Sequence, residues 1–261
     1  MSEIIPLWVS HYSIGSSILT LEKADKSKKR IGHPDSIIDI ALKHKLKEIY
    51  LVESSLSGFV EALENTKDAG IKLIFGLKIL VTQDLTRKDE ESLSKNHKVI
   101  IFCKNQSGWN RLMKIYSQSH LEGKYYTNRT DFNHLNEIWD ENDLKLCIPF
   151  FDSFIFENTL RLGSCVPDFS KIKPTFFIED HNLPFVNLLK ESIKKYTDSY
   201  NFPILDTNTC YYYKNEDFLP WQVFKTIKER SSLEKPELEH CSDDTFSFEH
   251  YLNRIGQNIN E

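Results

Sequence analysis

The residues best suited to acid–base chemistry stand together in the tripeptide Glu179-Asp180-His181, directly after an apolar run. A carboxylate and an imidazole can transfer a proton to or from a reacting group if both reach it. On a strand or turn, an acid and a histidine so close in sequence point in differing directions. The sequence therefore favours a structural role for His181 over catalysis.

Motifs of the common enzyme classes do not occur. The chain has no Gly-x-x-x-x-Gly-Lys-Ser/Thr phosphate loop, Gly-x-Gly-x-x-Gly turn, His-Glu-x-x-His helix or Gly-x-Ser-x-Gly elbow. Its five cysteines are widely spaced and form no Cys-x-x-Cys pair, which predicts free thiols in a reducing cytoplasm. No cofactor is expected from these patterns.

A basic run is the first of two candidates for nucleic-acid contact. It holds Lys26, Lys28, Lys29 and Arg30, which could meet phosphates. Charge runs are more often solvated surface, and the net charge of −5 supplies no overall field that attracts a phosphate backbone. DNA contact is therefore expected to be weak, and a protein partner suits the charge balance better.

An aromatic group is the second candidate, because aromatic rings can stack on bases. At a junction between a strand and a helix, the same rings normally pack the end of a barrel. We expect packing for these residues: Tyr211, Tyr212, Tyr213, Trp221 and Phe224.

Apolar runs and helical patterns alternate along the chain. Runs of strand length lie at 4–10, 49–52, 71–81, 99–103, 144–151, 175–178 and 202–205. Helical patterns lie at 35–47, 56–69, 107–120, 183–200 and 216–229. Asp35 or Ser36 can cap the first helix, and Gly70 can end the second in a left-handed conformation. The alternation predicts an α/β fold with a parallel sheet closed or nearly closed by crossover helices, whose functional loops follow the strands.

Length and composition favour one large domain. The 261 residues are 40% hydrophobic and 12% aromatic, which is enough for a sizeable core. We expect an α/β barrel over residues 1–230 and a polar extension over 231–261 that packs on it through its few apolar residues. No apolar run reaches the length of a membrane span, and the first residues lack a secretory pattern. A soluble cytoplasmic protein is expected.

Six segments, in consistent order, resemble the PHP (polymerase and histidinol phosphatase) domain of bacterial DNA polymerase III alpha subunits. For example, Asn105-Gln-Ser-Gly-Trp-Asn-Arg-Leu-Met113 is similar to Asn-Glu-x-Gly-Tyr-x-Asn-Leu-Met of that family. The segments are Val9–Gly15, Gly70–Gly76, Asn105–Met113, Leu121–Tyr126, Phe177–Pro184 and Asp206–Asp217. The resemblance covers roughly residues 5–230 and implies a distorted (β/α)7-type, TIM-like barrel.

Active members of that family hold two or three divalent ions with His, Asp and Glu at strand ends, for phosphoester hydrolysis. Here most of those donors are replaced. The family's His-x-His corresponds to Pro6 and Trp8, with His11 nearby, and its Thr-Asp-His corresponds to Val52-Glu53-Ser54. The remaining replaced donors fall on Lys78, Thr209 and Tyr211. The resemblance therefore implies a degenerate site with no expected metal, where a Lys78–Glu53 salt bridge could take over the ion's neutralising role.

Two functions remain open on this resemblance. The first is a free-standing, catalytically inactive PHP-like module, from a phage or a bacterium, that docks replication proteins such as polymerase modules or a proofreading exonuclease. The chain ends near where polymerase modules would begin and is not expected to polymerise DNA by itself. The alternative is a phosphoesterase or 3′–5′ exonuclease with a rebuilt Zn or Mn site around His11, Glu53 and Asp206.

Overall fold

The computed structural model describes residues 4–23, 34–229 and 243–259. The eight strands of this part are β1 Ile5–Trp8, β2 Glu48–Glu53, β3 Lys72–Val81, β4 His97–Cys103, β5 Arg129–Thr130, β6 Leu144–Ile148, β7 Thr175–Glu179 and β8 Ile204–Cys210. Its α-helices are α1 Ile37–Lys43, α2 Phe59–Ala69, α3 Glu90–Ser94, α4 Gln106–Leu121, α5 Phe132–Ile138, α6 Phe154–Leu160, α7 Val186–Tyr200, α8 Phe218–Glu229 and α9 Phe248–Arg254.

The strands follow one another in the order β2-β1-β8-β7-β6-β4-β3, and an additional pairing of β2 with β3 closes the ring of seven. The short β5 pairs in parallel with β3. Helices lie between most strands in the chain. The predicted distorted (β/α)7-type barrel is thus confirmed.

One strand differs from the expected parallel sheet. β4 runs antiparallel to both of its neighbours, β3 and β6. The link from β3 to β4 holds only the five-residue α3, and an antiparallel neighbour needs no longer helix to carry the chain across the sheet. The expectation of an all-parallel sheet is therefore wrong at β4.

Local signals account for several helix ends. Ser36 caps α1 by accepting a hydrogen bond from the backbone N–H of Ile38. Gly70 ends α2 with φ of +69°, a conformation that costs a residue with a side chain more than it costs glycine. Asn105 caps α4 by accepting from the N–H of Gly108 at 2.8 Å. These caps explain why the predicted helix starts and stops are met within a few residues.

The chain divides into two compact units. The first unit holds residues 1–75, 179–184 and 206–261, and the second holds residues 76–178 and 185–205. Residues 243–259 belong to the first unit, and the boundary predicted at residue 230 lies outside the described residues, so it stays a prediction.

Each unit has its own apolar core. In the first, Trp8, Leu51, Trp221 and Phe248 are among the most buried side chains. In the second, the most buried residues include Val81, Ile101, Leu112, Leu146 and Phe176. Four cysteines are described, and all four are free thiols, as the spacing predicted.

Candidate functional site

The candidate site is a group of six residues of the first unit that end strands or closely follow them. Trp8 ends β1, Glu53 ends β2 and Glu179 ends β7. The other three members are His181, Thr209 and Tyr211, and we call the six the strand-end cluster. In a barrel, the carboxyl ends of the strands carry the active-site loops. This is therefore where any chemistry inherited with the fold would lie.

Glu53 is a buried carboxylate with both oxygens engaged by protein donors. The backbone N–H of Ser10 donates to Oε1 at 2.9 Å, and the Ser13 hydroxyl donates to Oε2 at 2.5 Å. Ser13 Oγ in turn accepts from the backbone N–H of Ser54 at 2.9 Å. Burial raises the pKa of Glu53, and the serine hydrogen bonds oppose that rise. Glu53 and Ser54 therefore belong to one internal hydrogen-bond network.

Glu179 and His181 do meet, contrary to the expectation that their side chains diverge. His181 Nε2 lies 2.9 Å from Glu179 Oε2, because residues two apart on an extended chain share a face. Thr209 donates its backbone N–H to Glu179 at 2.8 Å and its hydroxyl at 2.7 Å. On its other side, His181 Nδ1 lies 2.7 Å from Thr245 Oγ1.

Electrostatics lowers the pKa of Glu179, the acid of this buried pair. Burial alone would raise the pKa of Glu179, but the hydrogen bonds and charge of His181 and the donors of Thr209 outweigh it and lower that pKa. The side chain of His181 is fully buried. The pair has the composition of an acid–base dyad, but its groups face each other and Thr245, so it ties the segment that holds Thr245 to the end of β7.

Aromatic rings from other residues pack against the cluster. Trp8 is fully buried and stacks on Phe248 with ring centroids 4.7 Å apart. Phe246 stacks on His181 at 3.9 Å, and Tyr211 stacks on Trp221 at 5.4 Å with the planes 9° apart. Tyr212, Tyr213 and Trp221 are buried, as the packing interpretation predicted, but that prediction is wrong for Phe224, which is 37% exposed. Residues 243–259 thus supply the rings that cover the strand ends of the first unit.

The remaining predicted site residues have other surroundings. Pro6 lies within β1, in register with Asn208 of β8. His11 donates its backbone N–H to the carbonyl of Leu19 at 2.8 Å, but its buried Nδ1 has no hydrogen-bond partner in the described part of the chain. Asp206 forms an ion pair with Arg254 at 2.7 Å.

Lys78 lies in the second unit and pairs with a residue that the sequence did not suggest. Its Nζ is 3.2 Å from Asp152, which also binds Lys98 at 3.0 Å. Burial would raise the pKa of Asp152, but the two lysines outweigh it and lower that pKa well below its usual range. The Lys78–Glu53 salt bridge considered from sequence is therefore wrong, since Glu53 is engaged by serines instead.

The residues present do not fit a divalent ion. A useful Zn site needs three or four donors that converge. Within residues 4–23, 34–229 and 243–259, no group of three or more His, Cys, Asp or Glu side chains is arranged to hold a metal. Two of the three residues considered for a rebuilt metal site are engaged by other groups. Both oxygens of Glu53 accept hydrogen bonds from serines, and Asp206 is ion-paired with Arg254. Trp8, at a position where the resemblance predicted a replaced ligand, supplies no metal donor.

Two further predictions concern nucleic-acid contact and membranes. The basic run with Lys26, Lys28, Lys29 and Arg30 lies outside the described residues, so DNA contact there stays a prediction. As for membranes, none of the helices in the described part of the chain is long and apolar enough to span one.

Comparison with known proteins agrees with this fold. Residues 27–154 match the model of the PHP domain family. Relatives named DNA polymerase III subunit alpha include one from Thermus aquaticus, 27% identical over 195 residues, covering 70% of this chain and 16% of the relative. Another, from Borreliella burgdorferi, is 27% identical over 191 residues, covering 69% of this chain and 17% of the relative. The chain therefore spans less than a fifth of the length of these curated relatives.

Proposed function

Because this chain is related to the PHP domain of DNA polymerase III alpha subunits, we propose that it is a metal-free PHP-like docking module in DNA replication. In this proposal the barrel is a scaffold, and its partners are replication proteins such as polymerase modules or a proofreading exonuclease. The relatives' names support the replication setting, whereas the docking role rests on the strand-end cluster.

The observation that carries the proposal is that the cluster's carboxylates are satisfied by protein donors. Glu53 accepts from Ser10 and Ser13, and Glu179 accepts from Thr209 and lies within hydrogen-bond distance of His181. A two-metal phosphoesterase needs carboxylate and imidazole donors that turn toward the ions and leave room for water and phosphate. A scaffold needs the opposite, namely a well-packed strand end with no open coordination positions.

Aromatic packing supports the same conclusion. Phe248 lies against Trp8 and Phe246 lies against His181, so aromatic rings cover these two members of the cluster. Buried aromatic pairs contribute packing beyond their area, about 0.5–1.5 kcal/mol each. These contacts therefore stabilise the first unit. A docking module needs such a stable surface.

Metal analysis combined with activity assays tests the absence of catalysis. The full chain is equilibrated with Zn²⁺ or Mn²⁺, desalted and analysed for bound metal, then assayed on p-nitrophenyl phosphate and on 3′-labelled single-stranded DNA. We expect substoichiometric metal and no turnover above the protein-free control. Stoichiometric metal that disappears in Asp206→Asn, but persists in the exposed control Asp68→Asn, would establish the phosphoesterase alternative instead.

Capture of purified partners tests the docking role. The immobilised full chain is incubated with purified polymerase modules of a DNA polymerase III alpha subunit, or with its proofreading exonuclease, and the bound fraction is measured by surface plasmon resonance. We expect saturable binding to at least one of them. If neither binds at micromolar concentration, the replication-docking proposal is wrong.

A further inference from the structure

An apolar groove runs across the second unit between α6, the loop 161–174 and α7. Its volume is about 700 Å³. That size lies within the range of about 300–1,000 Å³ that is typical of binding pockets in proteins. The loop that forms one wall holds fourteen residues without regular structure, and loops of this length are usually functional or disordered.

The floor of the groove is a set of aromatic rings that already contact one another. Phe154 packs edge-on against Tyr196 with centroids 5.1 Å apart, and Phe169 packs edge-on against Phe202 at 5.8 Å. Because these rings hold each other in place, the floor needs no rearrangement to accept an apolar group. A preformed apolar floor lowers the entropic cost of binding.

The polar side chains of the lining are mostly engaged with the unit's own backbone. Asn158 pairs with both the backbone N–H and the backbone carbonyl of Cys165, at 2.8 and 2.9 Å. Ser192 donates to the carbonyl of Leu188 at 2.9 Å, and Ser199 donates to the carbonyl of Lys195 at 2.8 Å. An occupant of the groove would therefore meet apolar surface and few free hydrogen-bonding groups.

Lys195 supplies the charge of the lining. Among the described lining residues it is the charged one, and no ion-pair partner for it occurs in the described part of the chain. An ammonium beside apolar surface favours a negatively charged partner, which gains a charge contact there. The groove is thus complementary to a ligand with apolar groups and at least one carboxylate.

The rim extends the apolar surface beyond the groove. The side chains of Val166 and Tyr200 line the groove and are 71% and 61% exposed. Exposed apolar surface next to a pocket marks a site for a larger partner, because a small ligand would leave it in water. We propose that this groove binds an acidic peptide segment of a partner protein through aromatic or leucine side chains, a proposal that rests on the docking function above.

Peptide selection on the full chain tests the groove. A random peptide library displayed on phage is panned against the immobilised chain, and the selected sequences are synthesised with a fluorescent label and titrated by anisotropy. The selected peptides are expected to carry net negative charge and at least two aromatic or leucine residues. Their affinity is expected to fall about tenfold or more in Val166→Asp and in Lys195→Glu.

Matched variants in the first unit serve as controls. Val60→Asp makes the same change at a similarly exposed valine of α2, and Lys67→Glu makes the same charge reversal on that helix. Both are expected to bind the selected peptides like the unaltered chain. Equal binding by Val166→Asp and the unaltered chain would overturn the proposal. The proposal would also be overturned if the unaltered chain formed a dimer that dissociates in Val166→Asp, or if a small molecule copurified with the chain in the groove.

Binding experiments distinguish failure of the groove proposal from failure of the proposed docking function. If purified replication proteins bind the unaltered chain and Val166→Asp equally well, the docking function stands and the groove proposal is wrong. If selected acidic peptides bind through the groove but no replication protein binds the chain, the groove stands and its replication setting is wrong.

Discussion

Apolar and aromatic side chains are buried at the strand-end cluster of the first unit, whereas some of them stay exposed at the groove of the second unit. In the cluster, Trp8 and Phe248 are fully buried against each other. In the groove, Val166 and Tyr200 border an aromatic floor and remain exposed. The polar groups differ as well, since Glu179 and His181 lie within hydrogen-bond distance of each other, while the Lys195 ammonium has no ion-pair partner in the described part of the chain. Aromatic content by itself therefore does not distinguish the two regions, whereas exposure and unpaired charge do.

Removing the ring that stacks on Trp8 of the cluster should have the largest effect on stability. Phe248→Ala deletes a fully buried ring that contacts Trp8, His44 and Tyr251. We expect the free energy of unfolding to fall by about 3–5 kcal/mol, the usual cost of a buried phenylalanine cavity. Urea unfolding followed by tryptophan fluorescence measures it. A loss below about 1 kcal/mol would mean that residues 243–259 are not part of the folded core.

Breaking the polar part of the cluster should have the next largest effect. Glu179→Gln keeps the shape but replaces one acceptor oxygen with an amide that faces the donors of Thr209 and His181. Leaving such buried groups unpaired costs about 1–3 kcal/mol. The matched control Glu64→Gln, on the exposed face of α2, should change stability by no more than about 0.5 kcal/mol.

The contributions of Glu179 and Glu53 to the free energy of unfolding should change with pH in opposite directions. The pKa of Glu179 is lowered in the folded chain, so its contribution is present above the unfolded pKa of about 4.3 and is lost as pH falls through the folded pKa. The pKa of Glu53 is raised, so its carboxylate weakens the fold as pH rises from about 4.3 through the folded pKa. Urea unfolding of Glu179→Gln and Glu53→Gln from acid to neutral pH should show opposite trends relative to the unaltered chain.

Removing the charge of Asp152, which is ion-paired with two lysines of the second unit, should lower stability less. Asp152 binds Lys78 and Lys98 but is partly exposed, and its φ is +61°. Asp152→Asn tolerates that backbone and removes only the charge. We expect a loss of about 1 kcal/mol or less that shrinks further in high salt, because exposed ion pairs are weak and screened. A loss that salt does not change would indicate a contribution other than charge.

Altering the groove should have the smallest effect on stability. Val166→Asp changes an exposed loop residue, so we expect the free energy of unfolding to change by no more than about 0.5 kcal/mol while binding of acidic peptides is lost. Phe248→Ala should show the reverse pattern, with lower stability and unchanged peptide binding in the folded fraction. Thermal unfolding and anisotropy on both variants compare the two regions directly.

The sequence by itself determined the alternation of strands and helices and several of its boundaries. The period of the apolar residues, the cap at Ser36 and the left-handed stop at Gly70 are local signals, and the structure contains each of them. Residue types alone also indicated that Trp8 and Lys78 supply no metal donor, because no fold can make an indole or an ammonium into a ligand of a divalent ion.

Only the tertiary structure decided which groups surround Glu53, Lys78 and His181. Ser10 and Glu53 are 43 residues apart, and His181 and Thr245 are 64 residues apart, so no local pattern links them. The antiparallel β4 and the partner of Lys78 likewise depend on which strands and loops become neighbours. Periodicity specifies which face of an element is buried, but the choice among distant partners is made by the packing of the whole unit.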